Sequence, residues 1–298
     1  MKEVVRPNFY IVGAEKCGTT ALYSYLRQHP QIFMPEVKEP AFFKEKPFYT
    51  ETQYLDLFKD AGDAVAIGEA TPSYLRDPYS AEAIYAFCPS AKIIIMLRNP
   101  VDMLYSFYWQ NRMTGRETAQ SFKESIEIQK TSPEKKPPLV PYYLDLVYAK
   151  HVERYFERFG RKNVHVIIFD DFKNDAENVY RLTLRFLGVD DSFVPEFLRV
   201  NARKGIRNVW LQQLILRLGL NVRTIRRIKY SALYRRLNRW IHIDAAVSIL
   251  RSFYYVKQPA PPLDQELRHV LQEDYRDDIM RLSALLECDL SRWYADKA

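Results

Sequence analysis

Short apolar runs alternate along the chain with longer segments whose apolar residues recur at helical spacing. The runs typical of buried strands are Phe9–Val12, Ala64–Ile67, Lys92–Leu97 and Val164–Phe169. The segments with helical periodicity are Thr19–Gln28, Pro78–Phe87, Val101–Arg112, Leu144–Phe159 and Asn174–Leu187. This alternation predicts an α/β fold with three layers, in which a central parallel sheet is flanked by helices.

Two proline clusters punctuate this pattern. Pro133, Pro137, Pro138 and Pro141 predict a surface loop, and Pro259, Pro261 and Pro262 precede a final predicted helix, Asp264–Glu287. We expect a single domain in three parts: a core of about residues 6–200, a basic helical appendage of about 201–258 and a C-terminal helical region of about 264–293.

The excess of positive charge lies in one segment. The chain has 44 Lys plus Arg against 37 Asp plus Glu, a net charge of +7. Residues 197–243 contain no acidic residue but hold twelve basic ones, from Arg199 to Arg239, so the remainder carries −5. Three interpretations stay open for this segment: a solvated helical face, a site for an anionic ligand or acceptor, and contact with a membrane surface. Nucleic-acid binding is disfavoured because the rest of the chain is acidic.

Composition narrows the class of protein further. With 298 residues, 47% of them apolar and only 9 glycines, the chain is expected to fold, and disorder is excluded. Cys17, Cys88 and Cys288 are odd in number and far apart, which favours a reducing compartment over a disulfide framework. No run approaches the ~18–20 apolar residues of a membrane span, and the N-terminal segment resembles a strand more than a signal peptide. We therefore expect a soluble, cytoplasmic protein.

A strand, a glycine-containing loop and a helix follow one another near the N-terminus. The first predicted strand runs into Gly13, and the first predicted helix begins at Thr19 after Gly18. Unsatisfied N–H groups and the positive end of the helix dipole make such a helix start a phosphate cradle, here P-loop-like. In the nucleotide-triphosphatase loop G-x-x-x-x-G-K-[ST] a lysine follows the second glycine, whereas here Thr19 stands there and Lys16 lies three residues earlier. The alternative is a tight turn with an incidental lysine.

A second polar group follows the strand Lys92–Leu97. Arg98 ends this strand, and Ser106 lies one or two turns into the helix that follows Asn99-Pro100. Ligands bind at the carboxyl ends of parallel strands, so Arg98 and the first loop are expected to share a crevice. A guanidinium and a hydroxyl together suit a dianionic phosphate.

The two motifs together resemble those of the sulfotransferases that use 3′-phosphoadenosine 5′-phosphosulfate (PAPS), in particular bacterial-type domains and the heparan-sulfate and carbohydrate branch. The ending Cys288-Asp289-Leu290-Ser291-Arg292-Trp293 is similar to the C-terminal end of such bacterial domains. The resemblance implies a sulfotransferase fold and PAPS as the sulfuryl donor. It also implies that the 5′-phosphosulfate is bound by Lys16, Cys17, Gly18, Thr19 and Thr20, and the 3′-phosphate by Arg98 and Ser106. The triplet Arg203-Lys204-Gly205 resembles the phosphate-binding triplet near the C-terminus of cytosolic sulfotransferases, which implies that Arg203 and Lys204 also bind the 3′-phosphate.

The resemblance also suggests the catalytic groups. Sulfuryl transfer needs a base for the acceptor proton and a cation for the leaving phosphate, and it demands no metal. Lys16 suits the second role. The segment 38–43 resembles the glutamate-containing segment of heparan-sulfate-type enzymes, which implies that Glu39 is the base. The alternative is a surface carboxylate paired with Lys38 or Lys44.

Other residues at the expected crevice leave the acceptor open. Glu69, at the end of a strand, is an alternative base, a group that hydrogen-bonds the acceptor or positions Lys16, or an ordinary strand-end carboxylate. His29 is expected to be a capping or surface residue. Heparan-sulfate enzymes carry a catalytic lysine where this chain has Ala70, and their cysteine-bridged loop is missing. The acceptor is therefore expected to be a carbohydrate, a lipid or a small-molecule alcohol or phenol.

Two functions other than sulfuryl transfer stay open for a strand–loop–helix phosphate site. A P-loop small-molecule kinase would use ATP and Mg²⁺, and a non-catalytic nucleotide-binding protein would bind without turnover. Asp170-Asp171 after a buried strand resembles a magnesium-handling motif, but a structural role is favoured because the glycine–lysine pair is absent. Cys17 is disfavoured as a nucleophile because the sequence offers it no base.

Overall fold

A computed structural model of the chain describes residues 5–114, 116–131, 147–198, 205–206, 255–256 and 261–295. Arg203, Lys204 and almost all of the basic segment lie outside the described residues, so their predicted roles stay predictions. Residues 205–206 and 255–256 form a two-stranded antiparallel pair.

The described elements alternate between strand and helix over most of the chain. The strands of the main sheet are β1 (Phe9–Gly13), β2 (Ile32–Phe33), β3 (Ala66–Ala70), β4 (Lys92–Leu97) and β5 (Val164–Ile168). The helices are α1 (Thr19–Leu26), α2 (Glu51–Leu55), α3 (Ser80–Phe87), α4 (Pro100–Met113), α5 (Phe122–Thr131), α6 (Tyr148–Phe159), α7 (Phe169–Asn174), α8 (Ala176–Leu187) and α9 (Gln265–Leu286). Short 3₁₀ turns lie at Asp56–Phe58, Pro72–Tyr74, Arg161–Asn163 and Ser291–Trp293.

The five strands form one parallel sheet in the order β2-β3-β1-β4-β5. All five residues of β1 are buried, as expected for a central strand covered on both faces. After β1 the chain moves towards β2, and after β4 it moves towards β5, so connections leave the neighbours β1 and β4 in opposite directions. This divergence creates a crevice at the carboxyl ends of β1 and β4, where parallel sheets bind ligands. The predicted α/β fold with a central parallel sheet is confirmed.

The chain divides into two compact units. Among the described residues the first unit contains 5–103, 147–198 and 265–295, and it holds the whole main sheet. The second unit includes the part of α4 from Leu104 onwards and the whole of α5. Within it the buried Glu117 carboxylate accepts the Ser125 hydroxyl at 2.8 Å and the Ala119 N–H at 2.9 Å. The predicted single-domain organisation stays a prediction.

Candidate active site

The loop between β1 and α1 is shaped by a glycine in the left-handed region. Gly18 is the N-cap of α1, with φ 93°, and a Cβ atom there would lie 3.0 Å from carbons of the Phe169 ring. The N-cap offers no side chain to the first N–H groups of α1, which a helix leaves without internal partners. Lys16, half-buried and also at positive φ, lies two residues before the N-cap Gly18. Thr19 and Thr20 open the helix, as predicted.

One backbone hydrogen bond and one ion pair hold this loop between β4 and the segment that follows β3. The Ala14 N–H donates to the Met96 carbonyl of β4 at 2.7 Å. On the other side Glu15 pairs with Arg76 at 3.7 Å, in the turn after β3. The loop therefore lies at the carboxyl ends of three adjacent strands.

Arg98 meets this loop directly. Its Nη1 donates to the Lys16 carbonyl at 3.5 Å, and its guanidinium lies 4.9 Å from the centre of the Phe169 ring. Its side chain is only 15% exposed, and its nearest carboxylate, Asp102 at 4.0 Å, is shared with Arg268 at 2.7 Å. The structure thus brings Arg98 and the loop of Lys16 together, as the sequence analysis predicted.

The turn after Arg98 is fixed by Asn99. Its Oδ1 accepts the N–H groups of Val101 at 3.0 Å and Asp102 at 3.4 Å, which caps the start of α4. Its Nδ2 donates to the Trp293 carbonyl at 2.9 Å. Ser106 lies on α4 four residues after Asp102, within the second unit.

Glu39 lies beside the carboxyl end of β3. Its N–H donates to the Ala70 carbonyl at 3.1 Å, and its own φ is 61°. The side chain is 42% exposed, and its carboxylate accepts from Lys38 Nζ at 2.7 Å. The ion pair with Lys38, the alternative to the base role, is therefore present. The Glu39 side chain stays accessible from solvent in this pair.

Glu69 has the opposite environment. It is 1% exposed, and its carboxylate accepts three hydroxyls: Thr71 at 2.6 Å and Tyr54 and Tyr74 at 3.0 Å each. Burial raises its pKa to about 7, against the opposing effect of these hydrogen bonds, and the nearby Glu39 charge adds to the rise. Because both oxygens are occupied by protein hydroxyls, Glu69 is a poor candidate for the base and a good one for a supporting group.

The remaining candidates have structural roles. Cys17 is buried, which raises the pKa of its thiol to about 12, so it is not an activated nucleophile. His29 is 2% exposed, so its expected surface position is wrong: Nδ1 accepts the Gln31 N–H at 3.1 Å and Nε2 lies 2.8 Å from the Asp190 carbonyl. The two carboxylates that follow β5, those of Asp170 and Asp171, bind the C-terminal turn Ser291–Trp293. Asp170 accepts from Trp293 Nε1 at 2.8 Å, and Asp171 accepts from Arg292 at 2.9 Å.

Three further findings concern the described part of the chain. It contains no group of three or more His, Cys, Asp or Glu residues that could hold a metal ion. None of its helices is long and apolar enough to cross a membrane. Cys17, Cys88 and Cys288 are all free thiols. The reducing, cytoplasmic location stays a prediction.

Comparisons with known proteins agree with this geometry. Residues 6–204 match the family model described as a sulfotransferase domain. The chain is 27% identical to the bifunctional heparan sulfate N-deacetylase/N-sulfotransferase 4 of Mus musculus, over 94% of this chain and 30% of that protein. It is 32% identical to the carbohydrate sulfotransferase 15 of Homo sapiens, over 40% of this chain and 30% of that protein. The chain thus spans about a third of the length of these curated relatives.

One solved structure is similar over its whole length. It is the crystal structure of a sulfotransferase from Alicyclobacillus acidocaldarius, with 32% identity and a TM-score of 0.73. The match covers 98% of this chain and 100% of that one.

Proposed function

Because the chain belongs to the sulfotransferase domain family, we propose that it transfers the sulfuryl group of PAPS to a hydroxyl-bearing acceptor. The observation that carries the proposal is the contact between Arg98 and the loop of Lys16 at 3.5 Å, in the crevice between β1 and β4. Two cationic side chains and the N-terminus of α1 there offer separate sites for the 3′-phosphate and the 5′-phosphosulfate of one adenosine nucleotide.

The groups at this crevice fit such a donor. Lys16 and the first N–H groups of α1 would hold its phosphosulfate end, and Arg98, supported by Phe169 and Asn99, would hold its 3′-phosphate. Cys17, Thr19 and Thr20 complete the loop around the first group. Ser106, Arg203 and Lys204 stay predicted partners of the 3′-phosphate. PAPS supplies an activated sulfuryl group, and the protein supplies position and charge.

Two side chains would perform the chemistry. Glu39 would take the proton from the acceptor hydroxyl as the acceptor oxygen attacks sulfur. The attack comes from the side opposite the leaving phosphate. Lys16 would stabilise the charge that grows on that phosphate oxygen, an interaction stronger in the transition state than in the ground state. The exposure of Glu39 supports its part, since the acceptor must reach its carboxylate.

The acceptor is proposed by class only. The relatives are named for heparan sulfate and carbohydrate sulfotransfer, which favours a glycan hydroxyl or amine over the lipid and the small alcohol or phenol. Ala70, where the heparan-sulfate enzymes carry a lysine, argues for a different glycan from theirs. An assay with labelled PAPS and a panel of neutral glycans, amino sugars, phenols and lipid alcohols would identify the class. Product formation also separates an enzyme from a protein that only binds the nucleotide.

The donor site is tested by replacing Arg98 with alanine. Loss of one charge-assisted contact is expected to weaken binding of 3′,5′-bisphosphoadenosine by about 1.5–3 kcal/mol, or roughly 10–150-fold. Titration calorimetry measures it, with ATP·Mg²⁺ as the competing ligand and Arg276→Ala, an exposed arginine, as the control variant. Unchanged bisphosphate affinity in folded Arg98→Ala, or a preference for ATP·Mg²⁺ in the unaltered protein, would overturn the donor assignment.

The base is tested by Glu39→Gln, which keeps the size of the side chain and removes its basicity. We expect turnover to fall by roughly 10²–10⁴-fold while bisphosphate affinity stays unchanged. Glu36→Gln, also exposed and three residues away, is the matched control. Near-normal turnover in Glu39→Gln would assign the base elsewhere.

A further inference from the structure

The segment that carries Glu39 is held at every second residue. The N–H of Glu39 donates to the Ala70 carbonyl at 3.1 Å, that of Ala41 to Thr71 Oγ1 at 3.3 Å, and that of Phe43 to the Tyr74 hydroxyl at 3.2 Å. This spacing is that of one strand beside another, but side-chain hydroxyls replace two of the backbone carbonyls. The segment 39–43 thus lies beside the end of β3 and the 3₁₀ turn Pro72–Tyr74 that follows it.

The polarity of the two hydroxyls is set by one buried carboxylate. A backbone N–H only donates, and an ionised carboxylate only accepts, so a hydroxyl placed between them must accept from the first and donate to the second. Thr71 Oγ1 lies 2.6 Å from Glu69 Oε2, and the Tyr74 hydroxyl lies 3.0 Å from Oε1. In its ionised form Glu69 therefore directs the lone pairs of both hydroxyls towards the Ala41 and Phe43 N–H groups.

The geometry points to Glu69 as a positioning residue for the candidate base: through Thr71 and Tyr74 it holds the segment 39–43 so that Glu39 faces the acceptor. This inference rests on the proposed function and adds to it a buried group that touches neither substrate. The positive φ of Glu39 and Ala41, 61° and 56°, agrees with it. A left-handed conformation is unfavourable for a residue with a side chain and persists where surrounding contacts impose it.

Aromatic packing anchors the far end of the same segment but does not replace the hydroxyls. The Phe42 ring stacks on Tyr54 at 4.2 Å, and the Phe43 ring meets the edge of Tyr74 at 6.0 Å. Both contacts are apolar and survive the removal of a hydroxyl. The hydrogen bonds can therefore be removed while the packing is kept.

Two tyrosines provide a matched pair of variants. Tyr54 and Tyr74 both donate to Glu69 Oε1 at 3.0 Å, and both are fully buried. Only the Tyr74 hydroxyl accepts a segment N–H, that of Phe43. We expect Tyr74→Phe to lower kcat by about 10–100-fold, since small displacements of a catalytic group are costly. Tyr54→Phe is expected to leave kcat within about twofold.

A second pair tests the same point at Thr71. Thr71→Val removes the hydroxyl and keeps the shape, and we expect its kcat to fall by about 10–100-fold. Thr71→Ser keeps the hydroxyl and is expected to restore kcat to within about threefold of the unaltered protein. Glu69→Gln, which cannot accept from all three hydroxyls, is expected to resemble Thr71→Val. Bisphosphate affinity, measured by calorimetry, is expected to stay within about twofold in every variant, because the side-chain contacts that these variants remove join Glu69 to the segment 39–43 and not to the loop of Lys16.

A double-variant comparison separates this inference from the proposed function. If the hydroxyls act through Glu39, Tyr74→Phe has no further effect on kcat in a Glu39→Gln background. A normal kcat in Glu39→Gln would overturn the base assignment. A large loss in Glu39→Gln with normal kcat in Tyr74→Phe, Thr71→Val and Glu69→Gln would overturn the positioning role alone. Equal losses of kcat in Tyr54→Phe and Tyr74→Phe would also overturn it, since the loss would then come from removing any buried hydroxyl and not from releasing the segment.

Hydrogen exchange decides the question where a variant unfolds. The Ala41 and Phe43 amides must stay protected in Thr71→Ser and in Tyr54→Phe. Loss of their protection in either variant contradicts the inference.

Discussion

At the scale of single residues, Glu69 is a carboxyl group removed from water and supplied with three hydroxyl donors. Burial raises the pKa of Glu69 to about 7, from an ordinary value of 4.5. Hydrogen bonds from Thr71, Tyr54 and Tyr74 favour the ionised form and offset part of that rise. The protonation state of this buried group therefore changes close to neutral pH.

The raised pKa predicts how stability depends on pH. Between pH 4.5 and 7 the folded protein keeps the Glu69 proton and the unfolded chain has lost it, so the free energy of unfolding falls as pH rises through this window. The full change for this group is of the order of 3 kcal/mol. Urea unfolding at several pH values measures it, and Glu69→Gln should flatten that part of the profile. Parallel profiles for the two proteins would contradict the assigned pKa.

Lys16 is expected to act on turnover more than on binding. In the proposed mechanism its charge stabilises a leaving oxygen whose negative charge grows in the transition state, so Lys16→Ala should lower kcat by more than it raises the Kd for PAPS. Single-turnover kinetics separate the two quantities. Wild-type turnover with only a raised Michaelis constant would make Lys16 a simple phosphate ligand. Repeating the assay with EDTA distinguishes a Mg²⁺-dependent kinase, which would lose its activity.

At the scale of elements, the start of α1 depends on Gly18. Alanine at φ 93° costs about 1–2 kcal/mol from backbone strain. Its Cβ would also lie 3.0 Å from carbons of the Phe169 ring. The Arg98 guanidinium packs over this ring, 4.9 Å from its centre. Gly18→Ala should therefore lower both the free energy of unfolding and bisphosphate affinity.

Gly160→Ala is the matched control for this substitution. Gly160 also has a positive φ, 75°, but a Cβ there meets no atom within 4 Å. It should lower stability alone, as thermal unfolding and calorimetry can measure. Equal effects of the two substitutions on bisphosphate affinity would show that crowding against Phe169 does not matter.

Some elements could be predicted from sequence because their signals are local. The apolar run Lys92–Leu97 forms β4 with the predicted bounds. The strand predicted at Ala64–Ile67 is observed at Ala66–Ala70, as β3. The apolar pattern did not indicate its end, because the buried Glu69 interrupts the apolar run. β2 has only two residues, too few for a periodic signal. Its existence depends on pairing with β3.

The same distinction applies to the site. The meeting of Arg98 with the loop of Lys16 could be predicted, because each follows a parallel strand and neighbouring carboxyl ends share an edge. The hold on segment 39–43 could not, since it depends on the register between Ala41 or Phe43 and hydroxyls some thirty residues later in the chain. No pattern within either segment indicates that register.

At the scale of the whole molecule, Trp293 joins parts of the first unit that are distant in sequence. Its carbonyl accepts from Asn99 at 2.9 Å and from Gln272 at 3.1 Å, and its indole N–H donates to Asp170 at 2.8 Å. The turn beside Arg98 is therefore held from the C-terminal region. This contact gives residues 288–293, which resemble the C-terminal end of bacterial sulfotransferase domains, a physical role as a support for that turn.

The central place of β1 has a consequence for synthesis of the chain. β1 is complete at Gly13, but its neighbours β3 and β4 end only at Ala70 and Leu97. At roughly 5–20 residues per second, an apolar strand with two open edges waits on the ribosome for several seconds or longer before it can pair. Unpaired apolar edges are the sites where nascent chains aggregate. The strand that ends at Gly13 therefore waits for both of its neighbours, and we expect nascent chains stalled before Leu97 to be less soluble than those stalled well beyond Ile168.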